Sequence, residues 1–99
     1  MKRAILLSDL AERDVEASSN WYEAQVPGLG GRFQKEIDRT LNLVANFPNG
    51  APRIRGRIRF CPLTDFPFQV LFAVYNDRII VHRVFHTRQH PRKKFARKR

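Results

Sequence analysis

The sequence predicts an α+β fold, with an N-terminal strand, a two-helix hairpin and then an antiparallel sheet of three further strands. Three observations lead there. Apolar residues recur at helical spacing between residues 7 and 47, the period changes to two from residue 53, and Pro and Gly clusters mark the changeovers. The 99 residues are the length of a single domain, spanning 1–99, with room for one modest core. An apolar fraction of 42% marks a chain that folds.

Residues 3–7 are short and apolar, as in a strand. Ser8 or Asp9 caps the first helix, and Asp9 with Glu12 has capping-box spacing. Leu7, Ala11, Val15, Ser18 and Tyr22 keep one helical face, with Trp21 beside it, until Pro27-Gly28. A second helix follows Gly30-Gly31. Leu29, Phe33, Ile37, Thr40, Leu41, Val44 and Phe47 form its apolar stripe, and Gln34, Lys35, Asp38, Arg39 and Asn42 its wet side. Pro48-Asn49-Gly50 stops it, so the two helices read as an antiparallel hairpin.

In Arg53-Ile54-Arg55-Gly56-Arg57-Ile58-Arg59-Phe60 the arginines occupy every second position. Extended, this stretch would carry Arg53, Arg55, Arg57 and Arg59 on one face, a row about 20 Å long. Phe66-Pro67 opens the next strand. Phe68, Val70, Phe72 and Val74 then alternate with Gln69, Leu71, Ala73 and Tyr75, so both faces are apolar and the strand is central. Asn76-Asp77 is a two-residue turn, and residues 79–85 return as the last strand. The end of the chain, about 91–99, is a basic tail.

The charge divides at residue 53. Residues 1–52 hold 6 Lys/Arg and 7 Asp/Glu, and residues 53–99 hold 13 Lys/Arg and 2 Asp/Glu, for a total net charge of +10. Such asymmetry points to an acidic partner or a polyanion. The acidic residues of the first half fall on helix surfaces, which argues against a catalytic carboxylate pair. With one Cys and three His, no metal-ligand cluster is present by spacing, and no phosphate-binding glycine motif occurs, so no metal or cofactor is expected. Cys61 reads as a small hydrophobe. Ala4-Ile5-Leu6-Leu7 is too short for a signal-peptide core and no run approaches a membrane span, so a cytosolic protein without membrane contact is expected.

What remains is a basic constellation. His86, Arg88 and His90 alternate at the end of the last strand, and His82 shares a face with His86 if the strand runs that far. With Arg57 or Arg59 they are the candidate catalytic groups for metal-independent RNA cleavage, in which a His moves the proton of a 2′-hydroxyl. In the plainer alternative His86 hydrogen-bonds locally and Arg88 pairs with an acidic helix residue. Arg53, Arg55, Arg57, Arg59, Arg88, Lys93 and Lys94 are the candidate target- or partner-binding residues. Trp21, Tyr22 and Phe95 could stack on bases, although Trp21-Tyr22 on an amphipathic helix reads more simply as core.

The order of these features resembles toxins of the RelE/ParE superfamily, from type II toxin–antitoxin pairs, also called plasmid stabilisation proteins. The resemblance rests on Ser8-Asp9-Leu10-Ala11, Asp14-Val15, Trp21-Tyr22-Glu23, Pro27-Gly28-Leu29-Gly30, Phe33, Phe47-Pro48 and Pro52. It continues with Phe66-Pro67-Phe68 leading into Val70-Leu71-Phe72-Ala73-Val74, and with residues 84–91. It implies a growth inhibitor held inactive by an acidic antitoxin. The target it implies is DNA gyrase, as for ParE-like members, or messenger RNA on the translating ribosome, as for RelE-like nucleases. Thr64-Asp65 stand where the nucleases carry an Arg, and Phe95 where they carry a Tyr. The closing His86-Thr87-Arg88 is more similar to the ParE-like branch, which is therefore expected. A non-toxic nucleic-acid-binding module is the remaining alternative.

Overall fold

A computed structural model describes residues 3–87. The chain runs β1 (Ala4–Leu7), α1 (Asp9–Gln25), α2 (Leu29–Asn46), a 3-10 turn (Pro48–Gly50), β2 (Arg53–Arg55), β3 (Ile58–Pro62), β4 (Phe68–Val74) and β5 (Arg78–His86). The strands form one mixed sheet in the order β1-β5-β4-β3-β2. β1 runs parallel to β5, and every other neighbour is antiparallel. The α+β architecture is the expected one, with four strands after the helices rather than three, because the arginine-rich stretch divides into β2 and β3. No helix among the described residues is long and apolar enough to cross a membrane.

Ser8 starts α1 and also fastens it to the sheet. Its Oγ accepts the Ala11 N–H at 3.0 Å and donates to the His82 carbonyl at 2.9 Å. Asp9 and Glu12 lie in the first turn, where negative charge meets the positive end of the helix. At the other end Glu23 reaches over the break. Its carboxylate accepts the N–H groups of Gly28 at 2.8 Å and Gly30 at 2.9 Å. These are among the donors that the first turn of α2 leaves without a partner of its own. Gly30-Gly31 therefore sit inside α2 rather than before it. The helices also meet closely at Gly30, since a Cβ there would lie 2.5 Å from the Ser19 carbonyl oxygen.

The helical stripe packs as its spacing predicts. Phe33, Ile37, Thr40 and Val44 are buried, and Leu29 and Leu41 half-buried. Phe47 departs from it at 66% exposure, because α2 ends at Asn46 and Phe47 turns off the helix with φ −135°. Against α2 and Ala11 of α1 pack Phe68, Val70, Phe72, Ile79, Val81 and Val84 from the two central strands. β4 is interior to the sheet, between β3 and β5, and all of Val70, Leu71, Phe72 and Ala73 are buried. Asn76-Asp77 make the expected two-residue turn, closed by the Tyr75 N–H on the Arg78 carbonyl at 2.8 Å.

β1 has four residues and pairs only with Arg78 to Val81 of the nine-residue β5. Beyond Val81 the outer edge of β5 faces α1. There the Ser8 N–H donates to the Val81 carbonyl at 2.9 Å, and Asp14 Oδ2 accepts the Val84 N–H at 2.9 Å. A helix thus supplies the hydrogen bonds that a longer β1 would have made.

The close contact at Gly30 predicts opposite signs for two neighbouring substitutions. Gly30→Ala forces α1 and α2 apart and should cost about 1–2 kcal/mol net of the helix preference of Ala. Gly31→Ala meets nothing within 4 Å and should stabilise by about 0.5–1 kcal/mol. Chemical denaturation of both variants checks this, and equal effects would refute the contact.

Candidate functional site

The arginine-rich stretch does not form the single strand that its alternation predicts. Gly56 takes φ +53° and the chain reverses at Gly56-Arg57. Arg53 then stands opposite Arg59, and Arg55 opposite Ile58. Directly paired residues share a face. Arg59 is also paired with the core residue Phe72, and Ile58 with Ala73. Arg53 and Arg59 therefore fall on the helix side of the sheet and Arg55 on the other, while Arg57 belongs to the turn. This corrects the expectation of four guanidiniums gathered on one face. Gly56, midway between the two arms, was the available signal for the reversal.

Arg59 has an internal task. Its guanidinium donates to the carbonyls of Ala51 at 2.5 Å and Asn49 at 3.4 Å, which ties the chain after α2 to β3. Arg57 turns to the far end of β4. It donates to the Val74 carbonyl at 3.5 Å, and its Cζ lies 5.1 Å from the centre of the Tyr75 ring. Arg78 approaches the same ring at 5.3 Å, and Arg3 Nε donates to the Tyr75 carbonyl at 2.8 Å. Three guanidiniums, from the residue before β1, the β2–β3 turn and the first residue of β5, thus meet at one tyrosine, within range of cation–π attraction for two of them. Asp77 pairs with Arg78 at 3.0 Å.

His86 lies at the opposite end of β4. Its ring meets Phe68 edge-on at 5.2 Å and lines a groove of about 510 Å³ with Ala17, Ser18, Trp21, Tyr22 and Phe68. At about 3.3 Å per residue, the seven steps from Phe68 to Tyr75 span about 23 Å, so His86 and Arg57 sit beside opposite ends of β4. Nor do His82 and His86 share a face. The pairing of β5 with β4 shifts between Leu71–Arg83 and Phe72–Val81, which leaves His82 in a bulge and breaks the alternation. Arg88, His90, Lys93, Lys94 and Phe95 lie outside the described residues. Tyr22 joins Phe33, Phe66 and Phe68 in an aromatic cluster, with ring centres 5.0 to 6.1 Å from its own, whereas Trp21 is 60% exposed. A second groove of about 330 Å³ runs between the end of α2 and β3, lined in part by Leu43, Phe47, Phe60 and Cys61. Burial pushes the Cys61 thiol up, which disfavours the nucleophilic thiolate.

Two acidic residues depart from the expected helix surface. Asp14 takes the Arg83 guanidinium with both oxygens, at 2.8 Å from Nε and 2.9 Å from the terminal nitrogen. Its hydrogen bond holds Arg83 above the usual arginine value, against a smaller opposing effect of burial. Arg83 thus pairs with an acidic helix residue. Glu36 is 3% exposed, accepts the Thr64 N–H at 2.9 Å and forms an ion pair with Arg39. The sequence held a signal for each. Glu36 stands among Phe33, Ile37 and Thr40 on the buried stripe, and Asp14 beside Ala11 and Val15 on that of α1. A carboxylate in such a place needs a donor.

Residues 5–91 match the ParE toxin family of the type II toxin–antitoxin system parDE, and the chain belongs to that family. Solved structures share the fold. A chain of the chromosomal ParDE system of P. aeruginosa superposes with a TM-score of 0.76 at 19% identity, over 86% of this chain and 96% of that one. For the Mycobacterium tuberculosis RelBE2 complex the TM-score is 0.61 at 11% identity, over 87% and 99%. For the E. coli DinJ-YafQ complex it is 0.66 at 10% identity, over 92% and 99%. No curated protein matches the sequence.

Two outcomes follow from these contacts. Asp14→Ala strands the Val84 N–H and the half-buried Arg83, and should cost about 2 kcal/mol in urea denaturation. Asp14→Asn, which keeps one acceptor, should cost less, and a wild-type midpoint for both would refute the role of Asp14. Tyr22 has its pKa raised by burial, so the folded state holds the phenolic proton more tightly than the unfolded chain. Its share of stability is complete below the unfolded value of about 10 and is lost as pH rises through the folded one. Tyr22→Phe should therefore flatten the fall of melting temperature with pH above that point.

Proposed function

We propose that the protein is a growth-inhibiting toxin, held inactive by an acidic antitoxin and directed against DNA gyrase. The family match over residues 5–91 carries the reading. The net charge of +10 suits an acidic partner. Each of the three similar structures is a toxin–antitoxin system or complex. The dispersal of the basic residues among the described part of the chain favours gyrase over messenger RNA. A nuclease working by general acid–base chemistry needs its proton-transfer group within hydrogen-bond reach of the reacting centre, with cations beside it. Here Arg57 and His86 occupy opposite ends of β4 and Arg59 is engaged by backbone carbonyls. The loop between β3 and β4 offers Thr64 and Asp65, neither of which is a cation.

Purified protein should inhibit supercoiling by gyrase and leave messages intact in translating ribosomes. Cleaved messages together with normal supercoiling would replace this target with the RelE-like one. Antitoxin from the adjacent gene should abolish the effect in either case.

A further inference from the structure

We infer that the Arg3–Arg57–Tyr75–Arg78 cluster is a carboxylate anchor, which receives an acidic peptide segment of a protein partner. The inference takes the identity of that partner from the toxin–antitoxin reading and nothing else.

Three guanidiniums converge on Tyr75 from the start of the chain, the β2–β3 turn and the beginning of β5. Among the described residues one carboxylate, that of Asp77, stands with them, paired with Arg78 and 76% exposed. Backbone carbonyls and the face of a ring orient cations but do not neutralise them, so the cluster keeps an excess of positive charge at the surface. Arg57 and Arg78 are themselves exposed. Their geometry is held from the scaffold side: Arg57 by the Val74 carbonyl, Arg3 by the Tyr75 carbonyl, and the turn itself by the Tyr75–Arg78 backbone bond. Cations fixed in this way lose little freedom when an anion arrives, and planar guanidinium forks match carboxylates two bonds at a time.

The same contacts favour a peptide over a nucleic acid. Sequence-tolerant binding of single strands uses aromatic faces on which bases stack. The Tyr75 ring already has two guanidiniums at 5.1 and 5.3 Å, which compete with a base for the ring. The exposed aromatic side chain of Trp21 lies at the far end of the sheet, beside His86.

The test compares a synthetic hexaglutamate peptide with a thymidine hexanucleotide on the full chain, followed by NMR of the arginine Nε–H signals. Two double variants lose equal charge, Arg57→Gln/Arg78→Gln in the cluster and Arg13→Gln/Arg32→Gln on the exposed helix surfaces. The peptide should move the signals of Arg3, Arg57 and Arg78 first. The cluster variant should weaken peptide binding about fivefold or more, with an unchanged melting temperature, and the helix variant less than about twofold. Equal weakening by both variants overturns the inference, as does a hexanucleotide that binds at Tyr75 more tightly than the peptide. In the complex with the adjacent gene's product, the cluster variant should dissociate about tenfold faster. An unchanged rate there overturns the anchor and leaves the toxin reading intact. If wild-type protein forms no such complex, the toxin–antitoxin reading fails while the peptide titration still decides the anchor.

Discussion

The edge of β5 is the constraint from which the rest of the molecule follows. This strand has neighbours on both sides for its first four residues and on one side for the remainder. Backbone groups left at that edge must find partners. Ser8 and Asp14 provide them, and both belong to the start of α1. The helix is thereby held against the sheet by directional bonds at fixed positions along the strand, in addition to apolar packing that alone would tolerate sliding. Arg83, on the same stretch of β5, locks the arrangement with two more bonds to Asp14.

The same device recurs twice. Glu23 holds the first turn of α2 by two backbone N–H groups, and Glu36 holds the loop between β3 and β4 by the N–H of Thr64. Three of the carboxylates in the less basic half of the chain therefore act as acceptors within the fold, each joining α1 or α2 to a different element. A charge-assisted bond to a backbone N–H is stronger than a neutral one. It also brings each carboxylate close to the protein's own donors. The formal balance of the first half consequently overstates how much negative charge its surface presents, and the contrast between the two halves is smaller at the surface of the folded molecule than in the sequence.

The arginines divide in a comparable way. Arg59 and Arg83 are bound to backbone carbonyls and to Asp14, so much of their capacity is spent on the fold. Arg57 and Arg78 are arranged around a tyrosine and remain exposed. A strongly basic composition is thus a sum over different tasks, and only part of it forms a surface that a partner could meet.

The sequence by itself determined the periods, and hence the elements. The stripe from Phe33 to Val44, the doubly apolar β4, the Asn76-Asp77 turn and the α+β order were all legible, because helical and strand spacing are local properties of the chain. It could not decide which residues came to share a surface. The row Arg53 to Arg59 kept perfect alternation through a chain reversal, since a period of two is the same on both arms of a hairpin and Gly56 interrupts it by only one residue. His82 and His86 kept even spacing through a bulge that pairing with β4 created. Asp14 and Arg83 are 69 residues apart, and no local pattern joins them. Only the tertiary structure brought those two together and set the groups at the ends of β4 apart, because strand register and hydrogen-bond closure depend on the partners that a segment meets, whereas the sequence specifies only what each segment is.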